Sequence, residues 1–285
     1  MLSVSNGSNY VIKNSIGAPS YHSEQPWFVL NAAKHYDLVM QDDPAIAHFY
    51  SFEADQSNGL TFAIPDGCID ILFDCDPSAP SVKACGSTLE ARNADLQHKH
   101  RYFGVRFAPS ITPDSMSASA TELVNHELNM LDLVPGSEPV FAQIVECSDF
   151  MDQVMLFRHF YGGRPPRKAS ELTSEAVRQI CLRNGDMRIS ELEALTCYSH
   201  RTLQRQFRND LGMSPKAFSR IIRCQSAVHN LNYRNNVNFS ELACDLGFSD
   251  QPHFLREFKK LVSTTPAEYQ RQIQQCAYQQ RIRQS

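Results

Sequence analysis

The sequence predicts an α+β protein, with a β-rich N-terminal half followed by an all-helical C-terminal half. Up to about residue 120, short apolar runs rich in β-branched and aromatic residues alternate with Gly, Pro, Asn and Asp, which indicates strands and turns. Beyond residue 170 the apolar residues recur at helical spacing. Residues 1–164 hold 9 basic and 20 acidic side chains, whereas residues 165–285 hold 18 and 11. The net charge of +7 makes the C-terminal half the one suited to a polyanion.

The N-terminal half begins with strand-like runs and ends with helix-like ones. The runs at 60–65 (LTFAIP), 68–74 (CIDILFD) and 102–109 (YFGVRFAP) predict strands of a compact barrel or sandwich. Ser137 can cap a helix that has apolar residues on one face, and the segment 150–161 places Met and Phe at helical spacing. These apolar faces either pack on the strands or form a dimer interface, and the pattern leaves both open.

A segment rich in Gly and Pro separates the two halves. Residues 162–170 (GGRPPRKAS) make a poor helix or strand, so they predict a linker between a domain at 1–161 and a domain at 171–285. Seven helices are predicted after the linker. They are a helix capped by Ser170 or Thr173 that runs to about Leu182, then Ile189–Thr196, Ser199–Asp210, Pro215–Leu231, Phe239–Leu246, Asp250–Leu261 and Pro266–Cys276.

The helical half repeats itself at a spacing of 51 residues. The residues that recur are Leu203, Arg205, Phe207, Leu211, Ser214, Pro215 and Phe218, which become Phe254, Arg256, Phe258, Val262, Thr265, Pro266 and Tyr269. Upstream the offset is 50, so the second copy has one extra residue in its turn. Each copy has an apolar helix, a tight turn and a second helix with Ser199 or Asp250 at its N-cap. This is a helix-turn-helix layout, in which the second helix of each unit lies in the DNA major groove.

The second helix of each copy has a core face and a polar face. Leu203 and Phe207 lie on the core face of the first, and Phe254 and Phe258 on that of the second. Arg can bind guanine bidentately and Gln can bind adenine, so the polar faces suit base edges, with neighbouring cations suited to phosphates. The predicted base-reading residues are Arg201, Gln204, Arg205, Gln251, His253 and Arg256. The predicted phosphate-binding residues are Arg208, Lys259 and Lys260.

The stretches RTLQRQFRNDLGMSPKAF (201–218) and LACDLGFSDQPHFLREFKKLVSTTPAEY (242–269) resemble the two halves of the AraC/XylS-family DNA-binding module. The second stretch contains G-F-x-D-Q-x-H-F, F-K and T-P-x-x-Y in order. The resemblance implies a transcription regulator that binds double-stranded promoter DNA and contacts RNA polymerase. It assigns base reading to the six residues named above, and it makes 215–231 the helix that links the two units.

The sequence departs from the family pattern at four positions. Glu193 stands where the first unit usually has a small residue, and Cys197 stands where that unit usually has Gly. Ser263 replaces the usual Gly before the T-P, and Pro252 replaces a common Ser. A buried carboxylate at Glu193 would need a partner, so the first unit is expected either to be less ideally packed or to contact something other than bases. Pro252 falls in the first turn of its helix, where a missing N–H is harmless.

The stretches PDGCIDILF (65–73) and FGVRFAPS (103–110) resemble a cupin-like domain that often precedes AraC-type modules. The resemblance implies a β-barrel followed by helices, which binds a small-molecule effector or supports a homodimer. Asp66 and Gly67 are predicted to form a turn, because Pro-Asp-Gly is a turn sequence. Arg106 is interpreted as half of a structural ion pair rather than an effector anchor.

Other chemical signals in the sequence are weak. His98 and His100 form an H-x-H pair, but no carboxylate follows at the spacing of a metal cupin, so we predict no metal, no other cofactor and no catalytic residue. The nine cysteines include no C-x-x-C pair, and no secretory signal or apolar run of 18 residues is present, which favours the cytoplasm and no membrane contact. The alternatives are a regulator without effector and a cupin-type metalloenzyme with a DNA-binding tail.

Overall fold

The N-terminal half is built on a seven-stranded sheet. The computed structural model describes residues 23–40, 43–55, 61–113, 116–164, 166–234 and 236–284. Its strands are β1 (Tyr36–Met40), β2 (Ile46–Glu53), β3 (Phe62–Ala63), β4 (Asp70–Asp74), β5 (Ser81–Cys85), β6 (Arg92–Asn93), β7 (Arg101–Phe107), β8 (Ile111–Thr112), β9 (Glu127–Asn129), β10 (Arg167–Lys168) and β11 (Ile282–Gln284). The main sheet has the order β11-β1-β2-β7-β4-β5-β9, and β3–β6 and β8–β10 form two short antiparallel ladders.

The predicted α+β class is confirmed. The hydrogen-bonded order of strands in the main sheet runs from β11 to β9. The helices of this half are α1 (Pro26–Leu30), α2 (Ala120–Leu123), α3 (Met130–Leu133), α4 (Glu138–Glu146) and α5 (Phe150–Tyr161). The patterns beginning at Ser137 and spanning 150–161 therefore form helices, as predicted.

Both faces of the main sheet are covered, and the central strand β2 shows this best. Every β2 residue from Ile46 to Phe52 is buried, because alternate side chains enter two different cores. Phe49 packs with Phe157 of α5 on one face, whereas Tyr50 and Phe52 face a second core that the C-terminal half shares. Gly104 on β7 lies beneath the Tyr50 ring, where a Cβ atom would come within 2.0 Å of the ring. Most apolar side chains of α4 and α5 thus pack on their own sheet, whereas Met151 and Met155 of α5 are exposed.

The C-terminal half contains the seven predicted helices, with ends within two residues of those expected. They are α6 (Glu171–Leu182), α7 (Ile189–Thr196), α8 (His200–Leu211), α9 (Pro215–Tyr233), α10 (Phe239–Asp245), α11 (Gln251–Val262) and α12 (Pro266–Gln275). The structure adds a short eighth helix, α13 (Tyr278–Arg281), before β11. Neither element is predicted by the local sequence, since the last ten residues are mostly polar and without periodicity. β11 exists because it pairs in parallel with β1.

The two halves share their cores. One core joins Trp27 and the Tyr50 face of the sheet to residues of α9 through α13, and another joins Cys68 to α6 through α9. The Trp27 indole donates to the carbonyl of Val262 at 3.0 Å, and the Gln225 amide donates to the carbonyl of Pro65 at 2.8 Å. The helical half therefore packs directly on the sheet.

The predicted linker takes part in this packing. Arg167 and Lys168 form β10, which pairs with β8 of the N-terminal half. Pro165 of the same segment lies outside the described residues. Within the described ranges, the structure contains no helix long and apolar enough to cross a membrane.

Candidate nucleic-acid interface

The first helix-turn-helix unit consists of α7 and α8. Cys197 ends α7 in a left-handed conformation with a φ of 59°, and Ser199 then caps α8 by accepting a hydrogen bond from the Thr202 N–H. Glu193 is only half buried, and its carboxylate accepts a 2.6 Å hydrogen bond from the His200 N–H. The partner that a carboxylate at Glu193 needs is therefore the first N–H of α8.

The recognition helix α8 divides its side chains as predicted. Leu203 and Phe207 are fully buried, and the polar side chains on the opposite side are exposed. The exposed set lines a surface groove of about 400 Å³, formed by Arg201, Gln204, Arg205, Arg208, Asn209 and Ser214. All four residues that were predicted on this helix thus lie together, and Asn209 and Ser214 extend the set beyond the prediction.

The second unit consists of α10 and α11. Asp250 caps α11 by accepting a 2.6 Å hydrogen bond from the His253 N–H, and this bond lowers the pKa of the Asp250 carboxyl group. Pro252 lies in the first turn of α11, where it removes no helical hydrogen bond. Ser263 ends the helix in a left-handed conformation with a φ of 72°. Phe254 and Phe258 fill the core, as predicted.

The polar residues of α11 lie in more varied surroundings than those of α8. Arg256 and Lys259 are exposed, and Gln251 is partly exposed at the start of the helix. His253 shares a 3.0 Å hydrogen bond with the Ser249 hydroxyl group, and its ring lies edge-on to Phe248. The Lys260 ammonium group forms a 2.8 Å ion pair with Glu90 of the N-terminal half. The predicted phosphate contact at Lys260 therefore has a competing acidic partner.

A cleft of about 680 Å³ lies between the linking helix α9 and the two units. Several of its lining residues are basic, and they are Arg188, Lys216, Arg220, Arg223 and Lys260. Arg220 forms a 2.6 Å ion pair with Glu257 of α11. The repeat does not mark the α9 cations, because the positions that it relates on this helix are the apolar residues Pro215 and Phe218.

The N-terminal half contacts the C-terminal ends of both recognition helices. The Thr121 hydroxyl group of α2 donates to the Arg208 carbonyl of α8 at 3.2 Å. The Ala91 N–H donates to the Lys260 carbonyl of α11 at 3.3 Å, beside the bond from Trp27 to Val262. The N-terminal parts of α8 and α11, which carry most of the predicted base-reading residues, stay exposed or partly exposed.

A buried polar cluster surrounds Arg106 in the sheet. Its guanidinium group binds both carboxylate oxygens of Asp70, at 2.9 and 2.8 Å, and lies 3.3 Å from Asp66. Burial raises the pKa of Asp70 to about 6, although Arg106 acts against this rise. Burial also opposes the charge of Arg106, but the two carboxylates raise its pKa on balance. This is the structural ion pair that the sequence analysis favoured.

The Pro-Asp-Gly segment has two roles in the structure. Gly67 turns the chain with a φ of +75°, as predicted, and its position beneath Phe218 leaves no room for a side chain. Asp66 is also buried, where it accepts hydrogen bonds from Gln25 and Ser23. This second role is not predicted by the sequence, because a turn motif does not show which side chain points inward.

The H-x-H pair of the sequence divides between different carboxylates. His100 contacts Asp74 at 2.9 Å, whereas His98 lies 3.7 Å from Asp55. In the described part of the chain, no group of three or more His, Cys, Asp or Glu side chains is arranged to hold a metal ion.

Two family models match the chain, one in each half. Residues 192–272 match a helix-turn-helix domain, and residues 43–129 match a domain of unknown function (DUF6597). The first match covers α7 through most of α12, which includes both recognition helices. The C-terminal half carries a helix-turn-helix domain of the AraC/XylS family. This agrees with the residues that carry the resemblance in the sequence, including the ordered pattern between Leu242 and Tyr269.

Curated relatives of this AraC-type domain match over short segments. The chain is 36% identical over 73 residues to the HTH-type transcriptional activator RhaS of Yersinia pestis (strain Pestoides F), which is 26% of each chain. It is 28% identical over 89 residues to an uncharacterized HTH-type transcriptional regulator of Haemophilus influenzae, which is 31% of this chain and 30% of the relative. The matched segments thus span between a quarter and a third of these relatives.

Solved structures are similar to the AraC-type domain alone or to most of the chain. An AraC-type transcriptional regulator from Chromobacterium violaceum is 24% identical with a TM-score of 0.34, over 36% of this chain and 93% of that structure. ToxT from Vibrio cholerae is 10% identical with a TM-score of 0.44, over 79% of this chain and 97% of ToxT.

Proposed function

We propose that this protein is a transcription regulator that binds specific sequences of double-stranded promoter DNA through both helix-turn-helix units. The observation that carries the proposal is the pair of capped recognition helices with buried apolar faces and cationic polar faces, within a segment that matches a helix-turn-helix domain. The net charge of +7 over residues 165–285 supports contact with a polyanion.

Base reading is assigned to the N-terminal parts of the two recognition helices. Arg201, Gln204 and Arg205 would read one major-groove segment, and Gln251, His253 and Arg256 would read the next. Exposure of the α8 set and of Arg256 supports these roles. Phosphate binding is assigned to Arg208, Lys259 and Lys260, with Lys260 in competition with Glu90.

The N-terminal half would control this binding as an effector-binding or dimerising domain, and the regulator would contact RNA polymerase when bound at a promoter. The contacts of the N-terminal half with Arg208 and Lys260, at the ends of α8 and α11, support such control, since a shift of α2 or of the loop at Ala91 would reach these helices. Met151 and Met155 on α5 are 42% and 63% exposed, which supports a homodimer through this helix. Sedimentation of the protein and of Met155→Glu tests the dimer, which is rejected if both sediment as monomers.

DNA binding is tested by enriching duplexes from a random-sequence library with the purified full-length chain. We expect one enriched sequence class, and binding whose logarithm falls with the logarithm of salt concentration at a slope of about −4 or steeper, as for about five phosphate contacts. Binding without sequence preference would reduce the protein to an architectural role, and an absence of salt-dependent binding would reject the proposal altogether.

A further inference from the structure

Arg223 lies in the middle of α9, the helix that links the two units. Its side chain contacts the loop that precedes the first unit and the turn within the second unit. One guanidinium nitrogen, Nη2, donates to the Gly185 carbonyl at 3.0 Å, in the loop between α6 and α7. The other, Nη1, donates to the Gly247 carbonyl at 3.0 Å, in the turn between α10 and α11. A single side chain therefore joins the loop that leads into the first unit to the turn of the second.

The two loops also touch each other directly. Gly247 has a φ of +69°, and a Cβ atom there would lie 2.2 Å from the Asp186 carboxylate of the first loop. Gly185 has a φ of +81°, and a Cβ atom there would lie 2.3 Å from the Ser219 carbonyl of α9. Neither loop can take a side chain at these positions, so the junction is closely packed around Arg223.

The guanidinium group is suited to this junction and is largely buried in it. Its planar fork can donate to two carbonyl groups in fixed directions, which a lysine ammonium group cannot reproduce. The Arg223 side chain is 18% exposed, and its Cζ atom lies 5.0 Å from the centre of the Phe248 ring. Burial lowers the pKa of Arg223, which is opposed by Asp186. The charge thus faces loop carbonyls rather than solvent.

We propose that Arg223 is a positioning residue that fixes the distance and angle between the recognition helices α8 and α11, and so selects DNA by the spacing of the two segments they read. This inference rests on the proposed function. Each added base pair moves one segment by about 3.4 Å and turns it by about 35° relative to the other. A rigid junction can satisfy one spacing, whereas a loosened junction tolerates several.

The test uses a duplex enriched by the full-length chain, in which the two recognised segments have been mapped by base substitution. Matched duplexes carry one base pair more or fewer between the segments, and a further pair carries each segment alone. We expect the wild type to lose affinity at altered spacing, and Arg223→Met to reduce that discrimination by about tenfold, which is a fraction of what two charged hydrogen bonds contribute, because the rest of the junction stays packed. Affinity for each isolated segment should stay unchanged.

Arg223→Lys separates positioning from charge. It keeps the cation but cannot bridge the two carbonyls, so it should lose spacing discrimination almost as fully as Arg223→Met. Asp186→Ala, which alters the same junction at an exposed side chain, should lose discrimination to a smaller extent. Arg178→Met is the matched control, because Arg178 forms its ion pair with Glu175 within α6. It should keep the spacing preference of the wild type.

The outcomes distinguish this inference from the function on which it rests. Wild-type spacing preference in both Arg223 variants overturns the inference and leaves the proposed function intact. Full retention of spacing discrimination in Arg223→Lys also overturns the inference. An equal loss of affinity for isolated and paired segments overturns it as well, because it would indicate a general effect on folding or charge. If the wild type enriches no duplex, the proposed function fails first. Thermal unfolding of each variant checks that it is folded at the assay temperature.

Discussion

The two helix-turn-helix units share one sequence pattern but differ in what surrounds their recognition helices. On α8, four predicted DNA-contacting residues line one groove, and all the described residues that line this groove belong to the C-terminal half. On α11, His253 is hydrogen-bonded to Ser249, and Lys260 is paired with Glu90. The second unit packs into the large core that contains Trp27 and the sheet, whereas the first unit packs into a smaller core to which the N-terminal half contributes Cys68. The repeat in the sequence thus predicts two equivalent helices, but it does not predict that their polar residues differ in exposure and partners.

The two units also differ in which residues occupy the left-handed positions at the ends of their helices. Cys197 and Gly247 end the first helix of each unit, and Gly212 and Ser263 end the second, all with positive φ. A Cβ atom at Gly247 or Gly212 would lie within 2.4 Å of another segment, whereas Cys197 and Ser263 are exposed. Gly is therefore present where a neighbouring segment approaches closely. This explains two of the departures from the family pattern.

The largest expected effect is on the first unit. Arg201→Ala combined with Arg205→Ala should weaken binding to the enriched duplex by about 100-fold, because each residue is expected to contribute about 1–3 kcal/mol of base discrimination. Equilibrium binding at fixed salt measures this loss. A loss no larger than that of Arg256→Ala would show that exposure in a shared groove does not make the first unit the stronger contact.

The second unit should show a smaller effect. Arg256→Ala should weaken binding by about tenfold and relax the preference at one or two base positions, since one exposed guanidinium group is removed. Repeating the library enrichment with the variant measures both. A uniform loss across all sequences would mean that Arg256 holds a phosphate group instead.

The phosphate contacts of the second unit should be unequal. Lys259→Ala should reduce the salt dependence of binding by about one unit of slope. Lys260→Ala should reduce it less, because its ammonium group is already paired with Glu90. Glu90→Gln is the control, and it should increase the effect of Lys260→Ala by freeing the lysine. Equal slopes for the two lysine variants would contradict the comparison.

The smallest effects should come from the turn positions. Cys197→Gly and Ser263→Gly should each stabilise the protein by roughly 0.5 kcal/mol, since the left-handed conformation costs a non-glycine residue about 1–2 kcal/mol and glycine returns part of this as chain entropy. Chemical denaturation measures the change. Gly212→Ser is the matched control, and it should destabilise the protein, because its side chain would meet the Ala120 carbonyl. Stabilisation by Gly212→Ser would refute the explanation from close approach.

The sequence by itself determined the helices and the buried faces of the C-terminal half. Residues at i and i+4, such as Leu203 and Phe207, can enter a core only together, and Ser199 and Asp250 mark where each helix begins. The class of the N-terminal half and the ion pair of Arg106 also followed from local pattern. These features depend on neighbours within a few residues, or on a buried charge that must be paired.

Only the tertiary structure decided which groups from different segments of the chain come into contact. The partner of Glu193 is seven residues away across a turn, β11 exists because β1 offers an edge, and Asp66 turns inward to Arg106. The bridge of Arg223 joins carbonyls that lie 38 and 24 residues from it along the chain. Periodicity reports which face of an element is apolar, but it carries no information on which distant backbone groups come to lie against it.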